Sequence, residues 1–217
     1  MIGWRARLGF LLPPGNPTVE PEMIALAPEG VSVHFHRMAA YGAPGSLEGQ
    51  DERTRTMIDN IDGSFELLAS VEPDVIVVAH TATSYYLGRK GEADLLVRLE
   101  KSTGKRVITA FGSVLRSLER LNVRRLALGT PYSAQTTLQG KAHLEAHGLE
   151  VVNFANLQGV TNIYDETAER GLTGWRGWST KRTPKPSFSA GPACRHCRYW
   201  RCWSRIWGSR SSRVLPR

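Results

Sequence analysis

Apolar residues along the chain fall into two alternating patterns. Short runs rich in β-branched and bulky residues stand at ARLGFLL (6–12), VSVHFH (31–36), DVIVVA (74–79), RVIT (106–109), RRLALG (124–129) and LEVVNF (149–154). Between them lie stretches with helical spacing, such as Met57, Ile58, Ile61, Phe65 and Leu68, and then Leu95, Leu96 and Leu99. A near-continuous apolar run suits a strand buried on both faces, and the intervening 3.6-residue period suits a helix that covers it. Strand and helix repeated at this interval predict right-handed crossovers and an α/β, doubly wound fold with parallel sheets. The Gly, Pro and Ser content of AAYGAPGSLEGQ (39–50) predicts a lid, a crossover or an ordinary surface loop.

In such folds ligands bind beyond the carboxyl ends of the strands, so the residues that follow each run carry the functional information. After the first run, PPGNPTVEPEM (13–23) has Pro13 and Pro14 to stiffen the exit, Gly15 and Asn16 to turn, and Asn16 or Thr18 to cap a helix. After the third, HTATSYYLGRKGE (80–92) offers the hydroxyls of Thr81, Thr83 and Ser84 beside free backbone N–H groups. After the fifth, GTPYSAQTT (129–137) adds Tyr132 and Ser133. Three such turns at one end of a sheet predict an anion site built from hydroxyls and helix N-termini rather than a buried cation. His80 sits at the mouth of the third strand, where an imidazole suits a general base. His34 and His36 alternate on a strand and read as structural. His143 and His147, four apart on a helix, read as a solvated face rather than a metal pair, because no third ligand is near in sequence.

Composition changes this picture only at one end. The 217 residues carry a formal charge of +8, but residues 1–170 hold 17 Lys and Arg against all 20 Asp and Glu, or −3, while residues 171–217 hold 11 Lys and Arg and no acid. All three cysteines (Cys194, Cys197, Cys202) and five of the six tryptophans also lie beyond residue 170. The body is cysteine-free, no run of about 18 apolar residues occurs, and the first residues lack the apolar core of a signal peptide. A cytoplasmic protein with no membrane partner is expected.

The stretches LGFLLPPGNPTVEPEM, DVIVVAHTATSYYLGRKGE, TGKRVITAFGSVLRSLERLNVRRLALGTPYSAQTT and LQGVTNIYDETAER resemble the aspartate/glutamate racemase superfamily, in its branch of maleate cis-trans isomerases and arylmalonate decarboxylases. The likeness covers about residues 6–170. It implies two similar flavodoxin-like domains with a small carboxylate or dicarboxylate between them, and no cofactor or metal. It implies chemistry at the carbon α to that carboxylate: isomerisation, racemisation or decarboxylation. Two opposed positions, often both cysteine, do the proton or nucleophile chemistry in that family. By the resemblance, Asn16, Thr83, Ser84 and Tyr132 bind the carboxylate, and the first cysteine position falls on Ala82. The alternative is a truncated, inactive remnant or a carboxylate binder. Homo-oligomerisation stays open.

The resemblance stops where the composition shifts, which divides the chain into an N-terminal domain (1–113), the first half of a second (114–170) and an aberrant tail (171–217). Taking the last base of each tail codon with the first two of the next leaves some junctions no freedom: His196/Cys197, Tyr199/Trp200 and Cys202/Trp203 must spell Leu, and Trp207/Gly208 must spell Gly. Where choice remains, that frame permits TGLPTLSVLEVLEQDLGKPVVS from Gly191, a helix, a stop and a strand of the family's kind. A tail read out of frame is therefore expected. The hidden codon at Ala190/Gly191, where the second cysteine would align, encodes Gly, Arg or Trp and never Cys. As rivals, Cys194, His196, Cys197 and Cys202 supply zinc ligand types without a separated second pair, and interleaved Arg and Trp resemble a single-strand-binding segment. No specific nucleic-acid partner is expected.

Overall fold

The computed structural model describes residues 3–43, 46–167 and 170. The tail readings, from residue 171 onward, lie outside the described residues. Twelve elements follow one another: β1 (Ala6–Leu12), α1 (Val19–Leu26), β2 (Val31–Arg37), α2 (Leu47–Asp59), α3 (Ile61–Ala69), β3 (Val75–Val78), α4 (Thr81–Thr103), β4 (Arg106–Thr109), α5 (Ala110–Arg120), β5 (Arg125–Thr130), α6 (Ala134–Ala146) and β6 (Glu150–Asn156). Each apolar run of the sequence becomes one strand. Part of the Gly- and Pro-rich stretch at 39–50 is helix instead of loop, because Ser46 caps α2 by accepting from the Gly49 N–H at 3.0 Å.

The strands form a four-stranded sheet in the order β2-β1-β3-β4 and a pair β5-β6, all parallel. This is the expected α/β class with parallel sheets. In the first sheet β1 pairs with β2 on one side and β3 on the other, so the chain reverses its direction of travel there. The crevice at such a switch point opens between the loop after β1 and the residues after β3. No described helix is long and apolar enough to cross a membrane.

Two cores hold the layers together. One gathers Leu11, Ile61, Phe65, Ile76, Val78, Leu95 and Leu99 around the first sheet. The other gathers Tyr85, Phe111, Leu118, Leu126, Leu128, Tyr132 and Leu144 around the second. The expected domain boundary at 113/114 falls inside α5, whose buried residues, Phe111 and Leu118, both pack in the second core. Between the sheets runs α4, which breaks helical geometry at Gly88 (φ 65°, ψ 177°), a conformation open to glycine alone. Ahead of that break, Ala82, Thr83, Ser84 and Tyr85 are four consecutive buried residues. Only a helix turn enclosed on every side buries four in a row.

Close approach of α6 to α4 requires Gly140. A Cβ there would stand 3.0 Å from Cε2 of Tyr85, whose ring is buried against Phe111 and Tyr132 and cannot retreat. Gly140→Ala is expected to lower stability by about 1 kcal/mol, the overpacking cost exceeding the gain in helix propensity. Gly63→Ala in α3, where nothing lies within 4 Å, is expected to raise it by about 0.5–1 kcal/mol. Urea unfolding of the two variants checks both signs.

Candidate functional site

The loop after β1 is built by its own polar groups. The Asn16 N–H donates to the Pro13 carbonyl at 3.1 Å, and Asn16 Oδ1 accepts from the Thr18 and Val19 N–H groups at 2.9 and 3.0 Å, an Asx turn that leads into α1 two residues ahead of its N-cap, Thr18. Its Nδ2 makes no hydrogen bond among the described residues. Arg37, at the end of β2, donates through Nη1 to the carbonyls of Pro13, Pro14 and Asn16 at 3.3, 2.9 and 2.9 Å and pairs with Glu20. The guanidinium thus fixes the loop without standing free as an anion ligand. Above Gly15 lies the ring of Tyr164, 3.3 Å from where a Cβ would be. Burial pushes the Tyr164 phenol up to about 12, with Arg53 and Arg37 pulling the other way.

The first turn of α4 meets the β5–α6 connection. Thr81 Oγ1 and the Tyr132 hydroxyl lie 3.1 Å apart. Tyr132 is fully enclosed; burial drives its phenol well above the usual range, and the hydrogen bond with Thr81 and the nearby Tyr85 and Tyr164 phenols modify that shift. Its backbone is set by an N–H bond to Thr130 Oγ1 at 3.2 Å. Ser133 caps α6 by accepting from the Thr136 N–H and, with Thr136, donates to Asp51 of α2 at 3.0 and 2.8 Å.

The other sequence-predicted residues go elsewhere. Thr83 Oγ1 bonds His80 Nδ1 at 3.0 Å. Ser84 donates to Glu92 Oε1 at 2.7 Å and is wholly buried. Ala82 lines a cavity of about 100 Å³ with Asp51, Thr54 and Tyr86 and with Gln135, Thr136 and Gln139 of α6. The structure therefore brings Tyr132 together with Thr81, one turn ahead of Ser84, and leaves the hydroxyls of Thr83 and Ser84 in bonds within the protein. Thr81 carried the same signal as its neighbours, a hydroxyl after a strand. What singles it out is its place as the first helical residue, where the N–H has no partner within the helix and the side chain meets Tyr132. Tyr164 lay inside a stretch quoted only for its resemblance.

His80 is the residue before α4 and is buried; its Nε2 finds no partner. Burial lowers its pKa from 6.5 to about 4. A neutral imidazole can accept a proton at pH 7, but weakly at that basicity.

A buried network missed by sequence reasoning lies beside this turn. Glu92 Oε1 also accepts from Thr109 Oγ1 at 2.5 Å, and Glu92 Oε2 lies 2.9 Å from His143 Nε2. Burial alone would raise the Glu92 carboxyl; the bonds from His143, Ser84 and Thr109 more than offset it and hold it below the ordinary carboxylate value. His143 is 2% exposed, which corrects the reading of 143 and 147 as a solvated face: α6 turns that face inward, onto α4, where Glu92 waits. The readable signal was a carboxylate at a position whose helical neighbours, Tyr85, Leu95 and Leu99, are core residues. His34 Nε2 lies 2.9 Å from Ser32 Oγ along β2, and His36 has a buried Nδ1 with no partner.

The arylmalonate decarboxylase family model matches residues 8–171, and this chain belongs to that family. A maleate isomerase from Nocardia farcinica (strain IFM 10152) is 27% identical over 171 residues, which take in 72% of this chain and 63% of that protein. The chain thus spans under two thirds of that relative's length. Among solved structures, a mutant of the Nocardia farcinica maleate cis-trans isomerase carrying a covalently bound succinylcysteine intermediate superposes with a TM-score of 0.68 at 25% identity, over 79% of this chain and 72% of that one. Unliganded arylmalonate decarboxylase shares the fold, with a TM-score of 0.68 at 17% identity over 94% and 84% of the two chains.

The depressed His80 pKa has a signed consequence. Between pH 6.5 and about 4 the unfolded chain binds a proton that the folded chain refuses, so this contribution to stability is full above 6.5 and declines as pH falls toward 4. From pH 7 to pH 5 the loss is about 2 kcal/mol. His80→Gln is expected to remove that share of the pH dependence, measured by urea unfolding at the two pH values.

Proposed function

We propose that this chain binds a small carboxylate or dicarboxylate in the crevice between the β1 loop and the first turn of α4, and that its chemistry is of the isomerase and decarboxylase kind, at the carbon α to that carboxylate. The observation that carries the reading is the Thr81–Tyr132 hydroxyl pair, 3.1 Å apart at the helix N-terminus; the loop after β1, whose Asn16 accepts the first N–H groups of its own helix through Oδ1, leaves Nδ2 in reserve. Hydroxyls and N-terminal amides hold an anion without a buried counter-charge. When a bond at the α-carbon breaks and its electron pair moves onto the carboxylate, those donors stabilise the extra charge as it forms.

The covalent succinylcysteine named for the Nocardia isomerase needs a thiol, and residues 1–193 of this chain contain none. Ala82 stands where the resemblance puts the first cysteine, and His80, held neutral by burial, is the nearer base. This favours, as a second reading, a carboxylate binder without turnover. The end of the family match at residue 171 supports a tail foreign to the family beyond 170; the division of the rest into 1–113 and an incomplete 114–170 rests on the resemblance. Insertion of one base near codon 171 of the source gene is the repair that this division calls for.

Calorimetric titration with maleate and phenylmalonate tests the site. Tyr132→Phe and Thr81→Val are each expected to weaken binding by about 1–3 kcal/mol, the cost of leaving the carboxylate a donor short. Ser84→Ala, which strips a donor from Glu92, is expected to lower stability and to weaken binding less than either of these. If Ser84→Ala weakens binding and Thr81→Val does not, the cradle is the Thr83–Ser84 pair of the resemblance.

A further inference from the structure

We propose that Glu92 of α4, His143 of α6 and His147, which caps the end of α6, form a site for a divalent first-row metal ion of the zinc type. This site is separate from the carboxylate crevice and independent of the function proposed for it. One ligand-capable atom from each of the three lies within 4.8 Å of the other two. Two histidines four apart present their rings from successive turns of one helix face, and a carboxylate from a facing helix completes a set of two nitrogens and one oxygen, the donors that zinc-type ions take, with a fourth position left to water.

Three features show that the group is more than a chance meeting of polar residues. First, His147 Nε2 is buried without a hydrogen-bond partner, although burying an unpaired polar atom is costly. Second, the carboxylate is already oriented. Ser84 and Thr109 both donate to Oε1, which leaves Oε2 turned toward His143, the arrangement by which outer partners aim a metal-binding carboxylate. Third, the rings are packed in place: His143 lies 4.3 Å from Phe111 and 5.0 Å from His147, centroid to centroid, and His147 lies 5.8 Å from Phe111. Arg89, held by the Ala146 carbonyl at 2.7 Å, borders the group and disfavours a cation with no carboxylate to meet it; Glu92 supplies that carboxylate.

Cobalt(II) is the probe. The full chain carrying Cys194→Ser, Cys197→Ser and Cys202→Ser removes the tail thiols as rival ligands. Cobalt titration is expected to give one equivalent of bound ion with visible d–d absorption and no thiolate charge-transfer band. His147→Ala and His147→Gln leave the Glu92–His143 bond intact. Both are expected to keep the circular dichroism of the parent and to weaken cobalt binding at least about tenfold, the least that even an outer partner contributes to a metal site. Absence of the visible band, or unchanged affinity in either folded variant, overturns the proposal.

Discussion

A single buried carboxylate sets much of this architecture. Glu92 takes one hydroxyl from its own helix (Ser84), one from the end of β4 (Thr109) and an imidazole from α6 (His143). Those partners come from both sides of the junction between the two sheets. A charge taken out of water is tolerated only where its hydrogen bonds are made in good geometry, so the position of each partner is constrained by the others. Thr109 shows how tightly: the same hydroxyl oxygen that donates to Glu92 accepts from the Gly112 N–H at 2.8 Å and so caps α5.

The candidate site inherits its geometry from this fastening. With Ser84 tied to Glu92 and Tyr85 wedged among Phe111, Tyr132 and Gly140, the first turn of α4 has no freedom to rotate, and Thr81 is delivered to the Tyr132 hydroxyl. Arg37 gathers three carbonyls of the β1 loop, that of Asn16 among them. The guanidinium is itself spent on those carbonyls and on Glu20.

Much of the fold was legible in the sequence. The β-branched runs became strands within a residue or two at each end, since a strand buried on both faces needs such a run and little else in this chain has one. Asn16 and Tyr132 stood out in the sequence by their place after strands, and both are buried in the loops that follow β1 and β5. The register within the α4 turn was not legible. Thr81, Thr83 and Ser84 are equivalent as hydroxyls after a strand, and what separates them is which side of a one-turn wedge each occupies, a property of packing partners far away in sequence. For the same reason the histidine pair on α6 read as solvated: its third member, Glu92, is 51 residues from His143. The stretch at 39–50 misled through its glycines and prolines, which mark a turn but do not say where the next helix begins.

The central claim, that Glu92 and His143 together fasten α4 to α6, is tested most directly by a double-mutant cycle on urea unfolding. Glu92→Gln and His143→Gln alone are each predicted to cost about 2–5 kcal/mol, because each leaves a buried polar partner unpaired. The double variant is predicted to lose at most about 1 kcal/mol more than the worse single one, since the second change removes a group already stranded. If instead the two losses simply add, the residues act independently, and the carboxylate does not fasten the helices.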